Sequence, residues 1–86
     1  MLLEAVQVKL KVSNLRAELQ LTQVELAEMA GVARLVVVNA EATRRDVRIS
    51  RLSAFAILDA LNRARVQKGL SVLAFDDIEW KIQGEN

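Results

Sequence analysis

Neither cysteine nor histidine occurs in the 86 residues. Without cysteine there is no disulfide framework and no thiolate zinc site. Without histidine the commonest general base and the commonest metal ligand are both missing. A metal would have to be held by carboxylates alone. The only close pair, Asp76 and Asp77, is expected to end a loop or cap a turn, so neither a metal site nor a cofactor is expected. Catalysis would need Ser, Lys or carboxylate chemistry, and no constellation of these stands out, so an enzyme is not expected. Long apolar runs are missing too, with none approaching the ~18 residues of a membrane span. Residues 1–3 are apolar, but Glu4 interrupts them and no cationic stretch precedes them, so no signal peptide is read. The expectation is a soluble, cytoplasmic protein with no membrane partner.

Length and charge set the next bounds. The 86 residues are enough for one domain and too few for two, so residues 1–86 are read as a single domain. Its core is small, yet many domains of this length fold alone. A net charge of +1 says nothing about partners, but its distribution does. Between Gly31 and Arg51 lie Arg34, Arg44, Arg45, Arg48 and Arg51 against Glu41 and Asp46, a local excess of three positive charges. A localised basic patch is an electrostatic footprint for nucleic acid. A solvated arginine face is the competing reading.

Apolar periodicity divides the chain. Val6, Val8, Leu10 and Val12 alternate with polar residues, which predicts a half-buried strand. Ser13 is then read as the N-cap of a short helix over residues 14–21 that buries Leu15 and Leu19. Thr22 and Glu25 fit a capping box at the start of a second helix, whose buried stripe is Val24, Leu26, Ala27 and Ala30. Gly31 ends it, as a residue that accepts positive φ should. Residues 33–42 form a third helix despite the β-branched run Val36-Val37-Val38, which alone would suggest a strand. A basic loop over residues 43–47 leads to a fourth helix starting near Ile49 or Ser50 and ending near Gln67, with Leu52, Phe55, Ala56, Leu58 or Asp59, and Leu61 on its buried face and Lys68 and Gly69 at its close. Residues 70–75 connect to a second alternating stretch, Ile78, Trp80 and Ile82. An isolated strand leaves its backbone groups unpaired, so the two terminal strands are expected to pair antiparallel, within one chain or between two.

The run Thr22-Gln23-Val24-Glu25-Leu26-Ala27-Glu28-Met29-Ala30-Gly31-Val32-Ala33-Arg34, followed by Val37, Asn39 and Glu41, resembles the phage repressor and Cro helix-turn-helix family, also called the Xre family. The resemblance covers residues 10–62, and its Thr-Gln-x-x-Leu-Ala-x-x-Ala-Gly-Val core is specific. Residues 70–86 lie outside it. It implies a mainly α fold, a compact helix-turn-helix bundle of four to five helices, here flanked by the short terminal β-strands. It further implies a prokaryotic or phage transcriptional regulator that binds double-stranded DNA, with residues 33–42 in the major groove. On this resemblance Gln23 touches a phosphate or braces a base-reading side chain. Arg34, Leu35 and Val36 stand at the head of the recognition helix, and Asn39 lies one turn further on. Arg34 would read guanine and Asn39 adenine. Arg44, Arg45 and Arg48 would hold phosphates from the following loop, giving affinity and register. Arg16 and Glu41 match positions that form a structural ion pair. A domain this small is expected to bind a two-fold site as a homodimer.

The sequence also departs from that family. Ala33, Leu35, Val36 and Val38 are apolar where the recognition helix is normally polar, and Thr43 replaces the usual glycine. Val37 is expected in the core and Val36 half buried, with Leu35 and Val38 exposed. Apolar side chains can read thymine methyl groups, but an apolar strip also suits a protein partner. The alternative is therefore an interaction module, antitoxin-like or antirepressor-like, docking at Leu35 and Val38. Trp80, Ile78 and Ile82, with the end of the fourth helix, are the dimer candidates. Packing of Trp80 within its own chain is the competing reading.

Overall fold

The structure is a computed structural model and describes residues 8–44 and 46–84. Among the described residues four α-helices follow one another: α1 Val12–Glu18, α2 Gln23–Ala30, α3 Arg34–Glu41 and α4 Arg51–Gln67. A single 3₁₀ turn, Phe75–Asp77, precedes the extended tail. The first helix begins earlier than expected. Lys11 precedes it and Ser13 is already inside it, so Ser13 is not its cap.

Central α2 packs on both α3 and α4, while α1 and α4 also touch α3. The core lies where these elements meet. Leu26, Ile57, Leu61, Ile78, Val12 and Val37 are fully buried there. Each such side chain contributes about 1.5–3 kcal/mol relative to an exposed one. Small residues, Ala27, Ala54 and Ala60, complete the interior.

The buried face of α4 matches the one expected at Leu58 and Leu61 and departs from it at Leu52 and Phe55. Ala54, Ile57, Leu58, Ala60, Leu61 and Ala64 face inward, while Leu52 is 82% exposed and Phe55 46%. Both stripes recur at three and four residues and both begin apolar, so periodicity alone does not separate them. The stripe with Leu52 and Phe55 continues through Asp59 and Asn62, and the better-filled stripe wins the core. Val24 is likewise 46% exposed rather than buried.

No strand forms among the described residues. Val12 already belongs to α1, and Val8 is largely exposed, which leaves Leu10 alone to pair. Val6 lies outside the described residues. The tail is extended and its alternation is real, with Ile78 and Ile82 buried. It meets single residues only, Leu10 opposite Ile78 and Ile49 opposite Ile82, and both bridges are parallel. The antiparallel terminal pair is therefore replaced by a strap lying beside the entries to α1 and α4. Its odd-numbered backbone groups form four bonds: Leu10 N to Asp77 O, Glu79 N to Leu10 O, Ile49 N to Lys81 O and Gln83 N to Ile49 O, all 2.8–2.9 Å. No helix among the described residues is long and apolar enough to cross a membrane.

Candidate functional site

Local chemistry fixes both ends of α2. The Thr22 hydroxyl accepts from the Glu25 N–H at 3.0 Å, and the Glu25 carboxylate accepts from the Thr22 N–H at 2.8 Å. This closes the capping box. Gly31 ends α2 at φ 70° and ψ 30°, a left-handed conformation that costs side-chain-bearing residues about 1–2 kcal/mol. The Val32 N–H then folds back onto Ala27 O at 3.0 Å. Helix α3 begins directly after Ala33, which offers no capping side chain.

A polar chain joins the interior to the head of α3. Arg16 donates to both carboxylate oxygens of Glu41, through Nε at 2.6 Å and Nη2 at 3.0 Å, and through Nη1 to Leu21 O at 2.9 Å. The side chains are 22% and 8% exposed. The Glu41 bond raises the Arg16 pKa above its ordinary value, so its charge is present at every physiological pH. The Gln23 amide continues the chain: Nε2 donates to Glu41 Oε1 at 3.1 Å, and Oε1 accepts from Arg34 Nη2 at 3.3 Å. Gln23 thus has its amide orientation set from behind, and it steadies the exposed Arg34.

Opposite buried Val37, helical spacing places Leu35, Val38 and Asn39 on one outward face. Leu35 is 65% exposed. Asn39 is half-buried, and so is Val38, which was expected to be exposed. Val36 packs against the core and turns away from that face. Arg34 stands at its edge, exposed to solvent.

In the loop after α3, Arg44 and Arg48 are exposed. Arg45 lies outside the described residues. Arg44 Nη2 bonds Asp46 Oδ2 at 2.8 Å, with both side chains about two-thirds or more exposed. Arg48 reaches Ile82 O at 3.4 Å. The loop's other partner comes from the tail, where Lys81 Nζ donates to Ala42 O and, at 2.8 Å, to Arg44 O. Asp46 and Lys81 were not singled out from sequence. Asp46 stands two residues from Arg44, and that spacing in a loop was the available signal. Lys81 had none, being 39 residues from Ala42.

The structure separates the three dimer candidates. Ile78 and Ile82 are inside the chain's own core and offer no surface to a partner. Trp80 is half-buried, donates through Nε1 to Phe75 O at 2.9 Å and stacks on Phe75 with centroids 5.4 Å apart. Phe75 stacks in turn on Phe55 at 4.5 Å, and the Arg51 guanidinium lies 5.4 Å from the Phe75 centroid. The apolar surface left exposed there is Leu52 and Phe55. Asp77 caps its own turn, accepting from Ala74 N–H at 2.8 Å. No protein-family model, curated protein or solved structure gives a significant match to the chain.

Proposed function

We propose that this chain is a sequence-specific DNA-binding transcriptional regulator in which α2 and α3 act as a helix-turn-helix. The observation that carries the reading is Gln23, bonded at once to the core carboxylate Glu41 and to the exposed Arg34. A solvent-facing guanidinium braced from the interior is prepared for bidentate recognition of guanine O6 and N7. Leu35 meets a thymine methyl group, and Asn39 reaches an adenine edge one turn deeper. Arg44, Arg45 and Arg48 neutralise phosphates beside the groove. A two-fold site is bound by a homodimer, for which Leu52 and Phe55, beside the aromatic stack, and Val66 and Val72, near the end of α4, are exposed apolar surface.

Selection from a random pool of duplex DNA, repeated at two salt concentrations, tests this reading. The expected result is a palindromic site whose half-sites lie about one helical turn apart, with affinity falling steeply as salt rises. Weak binding to every sequence alike would count against it. The exposed Leu35 favours the second reading, a protein partner docked on α3, and Leu35→Asp would then abolish that complex while leaving the fold intact.

A further inference from the structure

Helix α3 ends at Glu41, and the extended C-cap residue Ala42 donates its N–H to Asn39 O. Just past this end the Lys81 ammonium donates to the carbonyls of Ala42 and Arg44, close to the negative end of the helix dipole, where a cation is favoured. Lys81 is itself held in place. Its own carbonyl accepts from Ile49, and buried Ile78 and Ile82 anchor the strap on either side. The loop carrying Arg44 is therefore fixed at three places: the end of α3, Ile49 ahead of α4, and Lys81 between them.

We propose that Lys81 is a positioning residue for phosphate binding: the strap, through Lys81, holds the α3–α4 loop so that its arginines meet the DNA backbone while α3 lies in the groove. The proposal rests on the DNA-binding reading and adds to it a role for residues beyond the helix-turn-helix. Lys81 acts through the loop. Holding the loop in the free protein means that binding need not order it, which preserves affinity. Phosphate contacts carry affinity and register without reading bases, so losing the clamp should weaken all sequences alike.

The test compares Lys81→Met, Lys81→Arg and Lys11→Met with the wild-type chain. Lys11 lines the same cleft, and replacing it removes the same charge, but it is not bonded to the loop. Two quantities are read: amide chemical shifts and hydrogen exchange at residues 43–48 without DNA, and affinity for the selected duplex and for a scrambled one across salt concentrations. In Lys81→Met the loop amides should shift and lose protection while those of α2 and α4 do not. Affinity should fall several-fold for both duplexes, and the salt slope should shrink by about 1 for each phosphate that is no longer neutralised. Lys81→Arg should restore both readouts, and Lys11→Met should leave the loop spectrum unchanged with a smaller effect on slope. Loosened loop amides with unchanged affinity and slope would overturn the positioning role and leave DNA binding standing. An equal loss in Lys11→Met would overturn it in favour of bulk charge. Should the wild-type chain bind no duplex, both the reading and the proposal fall, while the loop spectra still report whether Lys81 clamps it. If Lys81→Met does not fold, Lys81→Gln replaces it in the same comparison.

Discussion

Glu41 accepts three hydrogen bonds, two from Arg16 and one from Gln23, and it is 8% exposed. Its burial makes the pair asymmetric. Removing Glu41 leaves a guanidinium that still reaches solvent and Leu21 O, whereas removing Arg16 leaves a nearly buried carboxylate with one amide. Arg16→Met should therefore destabilise by ~3 kcal/mol, lowering Tm by about 10 °C or more in a chain of this size, and calorimetry checks it. A loss within error of zero would mean the carboxylate finds water. No acid or neutral pH dependence follows from Arg16. A raised pKa gives stability that is fully present below the ordinary arginine value and is lost only above it. At the surface, Arg44 and Asp46 form an exposed pair worth little to stability. Its consequence is competitive, because Asp46 occupies a guanidinium that phosphate would use. Asp46→Asn should strengthen binding to any duplex a few-fold with an unchanged melting temperature, as measured by salt-dependent titration. Weaker binding would show that Asp46 aims Arg44 rather than masking it. The Arg16–Glu41 contact was legible through the family resemblance alone, since nothing local links residues 25 apart.

Elements formed by local chemistry were the most legible. Thr22 with Glu25, and Gly31 at positive φ, mark both ends of α2, because capping involves residues within one turn of each other. Thr22→Ala should cost about 1 kcal/mol in chemical denaturation, and Glu25→Ala should lose part of the same energy because one box is being opened. Full additivity of the two would contradict a shared box. Helix α3 holds a β-branched run against its own propensity, with Val37 buried at its centre. Tertiary packing decides that element. Orientation was less legible than existence. Periodicity locates helix α4 and marks Leu61 as inward, but it also draws in the exposed Leu52 and Phe55, which mimic the start of a buried stripe. The tail shows a third outcome. Its alternation puts Ile78 and Ile82 on one face, and that face is buried within the chain rather than left for a dimer; alternation does not say what lies alongside. Single bridges to Leu10 and Ile49 take the place of a paired strand.

Across the whole molecule, three elements meet around α3: its neighbour α2 through Gln23, and from further along the chain α1 through Arg16 and the tail through Lys81. None of these junctions is visible in the composition, and together they leave one outward face, headed by Arg34 and Leu35. The aromatic stack of Phe55, Phe75 and Trp80 closes the other side and leaves Leu52 projecting. In the homodimer reading Leu52→Glu should leave the fold intact, shift sedimentation from dimer to monomer and weaken binding to the palindrome more than to a half-site. Equal sedimentation of both chains would place the dimer surface elsewhere or remove the dimer. The most direct measurement is the affinity of wild type and of the Arg34→Ala, Asn39→Ala double variant for the selected duplex and its base-substituted versions. Each bidentate base contact is worth about 1–3 kcal/mol. The double variant should thus lose at least about 30-fold, with relaxed base preference at two positions and little change in the salt slope contributed by the loop. Unchanged affinity and preference would contradict base reading by α3.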